Sequence, residues 1–258
     1  MQRGLALLAS VGLVSLAMAC DKKSDVVLAE SASAVQVVAP PPSAKVVPFT
    51  IDPASKSSID MPAPNEHIKA DTTAAAGKLD VDLMNVENTR GEVKIDLTTL
   101  TTHTFTDDEK NKGQTNHAHN WLEAGDLVDA QTKEANRYAV FGIQSIDGAS
   151  AKDVTKVTPT KEGNDEVRTV TLTAHGEFLV HGRKVKKDAA LEVRFVGPAG
   201  APVRIDVKTT APFKVLLAEH DVKPRDNFGK LAQKSLSLVS KVAETADITL
   251  DLHAVPVH

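Results

Sequence analysis

The sequence predicts an all-β protein whose antiparallel strands close into a barrel of about eight, with one short helix. Three observations carry that reading. First, short segments alternate apolar and polar residues almost without error. Val93, Ile95 and Leu97 alternate with Glu92, Lys94 and Asp96, and Val170, Leu172 and Ala174 with Thr169, Thr171 and Thr173. The rhythm repeats through Leu191, Val193 and Phe195, through Val203, Ile205 and Val207, and through Ile248, Leu250 and Leu252. Strand side chains point alternately to opposite faces, so each segment has one oily and one wet face. Second, strands buried in parallel sheets are apolar on both faces, which makes these antiparallel. Third, many one-faced strands must cover their oily sides together, and a sheet closed on itself does so without leaving edges.

The elements follow in order. Residues 1–19 read as a signal peptide: Arg3 gives a positive start, Leu5 to Leu16 an apolar run, and Ala17-Met18-Ala19 a small-residue exit. That run is too short, with the wrong flanks, for a transmembrane helix. Cys20, the only cysteine, follows at once, as in a bacterial lipoprotein, and is the expected site of lipid attachment. Ordinary cleavage after Ala19, leaving a free thiol, is the alternative. Residues 20–48 are mostly Ala, Ser, Val, Lys and Pro, including Pro40-Pro41-Pro42. This composition predicts a disordered tether, because it buries too little apolar surface to offset the entropy of ordering.

The barrel domain is expected over 49–258, opening at Phe49-Thr50-Ile51-Asp52. Strands are predicted around 65–84 and 89–103. Residues 104–137 break the rhythm, with Asp107-Asp108-Glu109-Lys110 as a solvated turn or helix start, one or two helical turns over 115–123 and Trp121 as a plug or local core residue. Strand character returns over 138–146, and a polar stretch at 147–167 is expected to be an exposed hairpin excursion. Further strands are placed at 168–180, 184–196 and 202–218, with a bend or bulge near Gly176. A loop over 220–227, weak helical spacing over 231–242 and a last strand at 246–255 complete the chain.

Composition excludes several functions. The formal net charge is -4, with one Tyr and one Trp, so the basic stripe and stacking aromatics of a nucleic-acid binder are missing. No serine sits in a nucleophile-elbow motif and no glycine-rich phosphate loop occurs. The many acidic residues fall on the wet strand faces. The chain reads as a non-enzyme. His117 and His119 stand two apart, and His103, His175 and His181 are the other histidines considered as metal ligands. A His-x-His pair without a third ligand at a known spacing is weak evidence for a metal. Hydrogen-bonded loop histidines are the reading adopted, with no metal.

The run from Arg168 to Gly182, followed by Arg183-Lys184-Val185, resembles the YceI-like family. Gly176, Phe178, Val180, His181 and Gly182 stand where that family has "G-x-L-T-I-H-G". Phe49–Asp52 with Ser57 and Ser58, Gly77–Val81 and Val93–Leu97 resemble its opening strands in order. Asn116-His117-Ala118-His119 falls at its "R-D-x-H", keeping only the histidine, and Arg225-Asp226-Asn227-Phe228-Gly229 echoes its "R-x-D-F-G" with one extra residue. The resemblance spans residues 49–255. It implies an extended lipocalin-like barrel in the periplasm that holds a polyisoprenoid or similar lipid, with a homodimer as a possible state.

The expected site is therefore the bore. Val93, Ile95, Leu97, Phe141, Ile143, Leu172, Phe178, Leu191, Val193 and Phe195 are expected to line it. With aromatics at 3% of the chain, the wall is mostly small aliphatic side chains, which leave more room than rings. The expected partners are an isoprenoid or quinone-like lipid and, through an acyl group on Cys20, a bacterial membrane facing the periplasm. The alternative is an envelope structural or interaction module whose barrel is filled by its own side chains.

Overall fold

The computed structural model describes residues 27–62, 67–223 and 243–257. Cys20, the signal segment, the Arg225–Gly229 motif and the helical spacing at 231–242 lie outside those residues. Among the described residues the strands run β1 (Glu30–Ser31), β2 (Val46–Ile51), β3 (Lys56–Pro62), β4 (His67–Thr72), β5 (Ala75–Asp82), β6 (Arg90–Asp96) and β7 (Thr101–Thr102). There follow α1 (Asp108–Trp121), α2 (Ala130–Ala135), β8 (Tyr138–Asp147), β9 (Thr160–Glu162), β10 (Asp165–Val180), β11 (Arg183–Val196), β12 (Arg204–Thr209), β13 (Phe213–Leu216) and β14 (Thr245–Pro256).

The alternating segments pair edge to edge into one closed antiparallel ring. Its order is β2-β5-β6-β8-β10-β11-β12-β14, with β14 returning to β2. This is the expected eight-stranded, lipocalin-like barrel. Ring closure gives each of the eight strands a partner on both sides over at least part of its length and places each oily face inward.

Several predicted strands are in fact two pieces broken at one level of the barrel. β2 gives way to β3 at Asp52–Ser55, β4 to β5 at 73–74, β6 to β7 at a single turn over Leu97–Thr99, and β12 to β13 at 210–212. The local causes are side chains that satisfy backbone groups in place of the ladder. The Asp52 carboxylate accepts from the Ala54 N–H at 2.8 Å. Asp96 accepts from the Thr98 N–H at 3.0 Å and the Thr98 hydroxyl at 2.6 Å, and is clamped by Arg137 Nε and Nη2 at 2.9 and 2.8 Å. Past the breaks, β13, the first half of β14, β3, β4 and β7 continue as a flap beyond the ring.

Where β5 meets β6 the backbone bends sharply. Gly77 and Gly91 have φ of +144° and +152°, in the region L side chains rarely adopt. A Cβ on Gly91 would fall 2.2 Å from the Lys78 carbonyl oxygen. The register of β10 against β8 shifts between His175 and Gly176, beside the expected bulge, and the extra residue, Gln144, sits on β8. The bulge turns both Ile143 and Ile146 inward, three positions apart.

Three expectations need correction. First, the helical region is longer than 115–123. The Asp107 carboxylate caps α1 by accepting from the Glu109 and Lys110 N–H groups, and Asp129 does the same for α2 through Thr132. Second, the excursion at 147–167 is only partly exposed. Val154 is fully buried, and only 160–167 forms a small hairpin, β9 against β10.

Third, the described part of the supposed tether is not free. β1 pairs with β11 at Lys184 and Arg183, and the Ala32 N–H donates to the Gly182 carbonyl at 3.0 Å. Val35 is buried on the outer wall against Val140 and Leu179. It fits there because Gly142 has no side chain: a Cβ on that glycine would meet Val35 Cγ2 at 2.8 Å. The Gln36 N–H donates to the buried Glu177 carboxylate at 2.7 Å, which holds that group below the ordinary carboxylate range, aided by Lys184. β12 leaves β11 at Leu191, so β1 covers part of the β11 edge thereby freed. Residues 29–45 thus form a belt down the outside of the barrel.

Candidate ligand-binding bore

The inward faces enclose a cavity of about 130 Å³. All ten residues expected on its wall are there: Val93, Ile95, Leu97, Phe141, Ile143, Leu172, Phe178, Leu191, Val193 and Phe195. The wall also includes residues outside that set of ten, among them Ile51, Leu79, Val81, Ile205, Phe213 and Leu252. Ile205, Leu250 and Leu252 carry the same alternation and were legible by it. Phe213 stands in a four-residue strand too short to show a rhythm.

The space exists because many inward positions are small. Ala139, Ala174 and Ala189 are on the wall, and Gly91 and Gly176 occupy inward register positions beside Ile143. Val93, Phe141, Leu191, Ile248 and Leu250 face inward yet are only half-buried, and all five line the cavity. Ser57 and Thr89 are the polar residues on an otherwise apolar wall, and Ser57 spends its hydroxyl on Thr72 at 2.7 Å.

The two ends differ. At one, the β5–β6 loop and residues 150–157 are laced together: Val86 N–H donates to the Lys152 carbonyl and Val154 N–H to the Leu83 carbonyl, both at 2.9 Å. Val86 and Val154 are buried between them, so this end is stopped. At the other end the wall continues onto the flap through Ile59, Ile248 and Leu250. Phe213 crosses that end, edge-on to Phe141 at 5.9 Å and to Phe178 at 5.1 Å.

Beyond this aromatic layer lies a polar set of which the sequence singled out only His181. His220 is fully buried, edge-on to Phe178 at 5.5 Å, with Nδ1 3.1 Å from the Arg183 carbonyl. Its Nε2 has no hydrogen-bond partner among the described residues. His181 reaches the His220 carbonyl with Nδ1 and Glu123 with Nε2, both at 2.9 Å. Lys187, at an inward register position of β11, stands 4.0 Å from the Glu219 carboxylate.

Burial pushes the His220 imidazole below the ordinary histidine value, against the Arg183 and Val180 carbonyls, which favour the charged form. Burial does the same to His119. The unfolded chain keeps the ordinary value near 6.5, so it binds protons that the folded state refuses. Stability is therefore expected to fall as pH drops below about 6.5. Half-buried His175, raised by Asp188 and Asp147, opposes this, since its contribution is present below that pH and lost above its folded value. Thermal melts between pH 7.5 and 5 test the sign. His220→Asn, which retains a donor for the Arg183 carbonyl, should flatten the slope, and an unchanged slope would contradict it.

The five histidines considered as metal ligands do not converge. His175 pairs with Asp188, His103 lies 3.5 Å from Asp71, and His181 is held as above. His117 and His119 lie on α1, beside a separate polar cavity of about 520 Å³ between α1 and α2 that also includes Asn116, Asn120, Asp126 and Lys133. Among the described residues, no group of three His, Cys, Asp or Glu side chains is placed to hold a metal ion. Trp121 is half-buried at the end of α1, and its neighbours Leu122 and Ala124 reach the barrel core.

No family profile and no curated protein matches the chain. Among solved structures, it is similar to a polyisoprenoid-binding domain from Saccharophagus degradans implicated in plant cell wall breakdown. The identity is 14% and the TM-score 0.47, covering 83% of this chain and 100% of that one. It is also similar to BcnA of Burkholderia cenocepacia, at 13% identity and a TM-score of 0.47, over 79% of this chain and 98% of that one.

Proposed function

We propose that this barrel binds the apolar chain of an amphiphilic lipid, of isoprenoid or quinone-like type, with the polar head at the flap end. The observation that carries the reading is the unbroken apolar wall from Val86 at the stopped end to Ile59 and Ile248 at the other. Removing a hydrocarbon chain from water yields about 0.8 kcal/mol per methylene and needs no directional contacts along the chain. The resemblance of residues 168–182 to the YceI-like family supports the same ligand class. His220, Lys187 and Glu219 offer the head group a donor, an acceptor and opposite charges just beyond the aromatic layer. Binding, rather than catalysis, is what this arrangement performs.

The open space matches a cavity that holds one benzene, about 150 Å³. A single isoprene unit fits it, and a longer chain enters as the half-buried Leu191, Ile248 and Leu250 turn aside. The same modest volume favours a second reading, an envelope structural module with a closed core. Solvent extraction of the purified protein followed by mass spectrometry separates the two. One molar equivalent of a prenyl lipid supports the first. A lipid-free protein that also fails to take up a prenyl probe establishes the second.

The localisation we propose is the periplasmic side of a bacterial membrane, by an acyl group on Cys20. The apolar run from Leu5 to Leu16 and the small-residue exit before Cys20 support it. Cys20→Ser should move the protein from the membrane to the soluble fraction. Retention of the variant in the membrane would sink the anchor.

A further inference from the structure

We infer that the belt turns the flap end of the bore toward the bilayer that holds the anchor, so that this end of the molecule is a lipid-facing surface. The inference rests on the proposed acylation of Cys20. Its physical basis is where the chain leaves the barrel. The Ala29 N–H donates to the Glu219 carbonyl at 2.8 Å, and Arg183 Nη1 reaches the Ala29 carbonyl at 3.4 Å. Both partners belong to the polar set beside the aromatic layer. From there the belt runs away, past Val35 and Gln36, to Val46, which pairs with Asp82 at the stopped end.

Chain length then fixes the orientation. Ala29 lies nine residues after Cys20, a reach of about 30 Å at full extension. Were the chain free up to Val46, twenty-six residues after Cys20, the reach would be about 90 Å and either end could face the lipid. From Lys184 to Val196 strand β11 spans about 40 Å. At the usual strand tilt of about 40° that strand covers about 30 Å of barrel depth. The leash spans about 17 Å on average and would reach the far end only when drawn fully straight, so it holds the flap end toward the lipid.

Apolar side chains at the exit suit a bilayer: Val27 and Leu28 are exposed, as are Leu216 just before Glu219 and Leu127 after α1. A second exposed set, Val46, Met84, Val203 and Val257, sits at the stopped end. It is the competitor that the leash keeps away from the membrane.

Trp121, the only tryptophan, stands at the flap end and serves as the probe. Protein purified from membranes is placed in phosphatidylethanolamine/phosphatidylglycerol vesicles carrying a dansyl headgroup lipid. If mass spectrometry shows Cys20 unacylated, the anchor reading has failed, and the same geometry is tested by coupling that thiol to a maleimide lipid. Energy transfer from Trp121 should exceed, by at least about twofold, transfer from a Trp121→Phe/Val203→Trp variant. Loosening the belt with Val35→Asp should bring the two ends to similar transfer. Equal transfer in the intact belt, greater transfer from the Val203 position, or a difference that survives Val35→Asp would each overturn the inference.

Discussion

Val93→Phe is expected to close the bore to ligand while leaving the fold in place. Val93 faces Phe141 across the β6–β8 ladder and borders the open space, so the added ring enters volume that is already empty. Filling an existing void costs little, so the change in stability should stay within about 1 kcal/mol. Excluding four methylenes from the bore removes about 3 kcal/mol of burial, a loss in affinity of roughly a hundredfold. Titration with a fluorescent prenyl alcohol measures it directly. Undiminished uptake by a folded variant would mean that the ligand lies elsewhere.

Gly91→Ala is expected to have the largest effect on stability. The new Cβ would lie 2.2 Å from the Lys78 carbonyl oxygen, on a backbone whose φ of +152° already disfavours any side chain. Strain and overpacking together give a loss of about 2–5 kcal/mol. Gly148→Ala is the control: its φ is also positive, at +63°, but nothing lies within 4 Å of the added carbon. That substitution should cost only about 1 kcal/mol. Urea midpoints at a constant slope separate the two, and equal losses would show that the close approach of β5 to β6 is not what Gly91 serves.

Strand faces were legible because alternation is enforced wherever one side meets the core and the other meets water. That rule turned Val93, Ile95, Leu97, Leu172, Leu191, Val193 and Phe195 toward the cavity, where the structure has them, but it also turned Val203 inward, and Val203 is exposed. It failed where structure depends on contacts distant in sequence. Val35 sits among Ala, Ser and Val residues that read as linker, and only the missing side chain of Gly142, more than a hundred positions later, makes a seat for it. Val154 is one of a few scattered apolar residues in a polar stretch, yet its backbone bond to Leu83 makes it a stopper. His220 gave no periodic signal because it lies on a single turn, Leu217–His220, outside any strand rhythm. The breaks at Asp52 and Asp96 use short polar side chains that look, in sequence, like ordinary wet-face residues.

The laced loops that bury Val86 and Val154 make the bore a blind tube, and a blind tube measures. A chain entering tail-first gains about 0.8 kcal/mol for each methylene that still finds wall. Once its tip meets the two valines, further carbons remain in water and add nothing. Affinity across a homologous series should therefore climb and then level off, and the carbon number at the plateau reads the depth of the tube. If the bore binds lipid as proposed, it would sort lipids by tail length, with the head left at the flap end beside His220, Lys187 and Glu219.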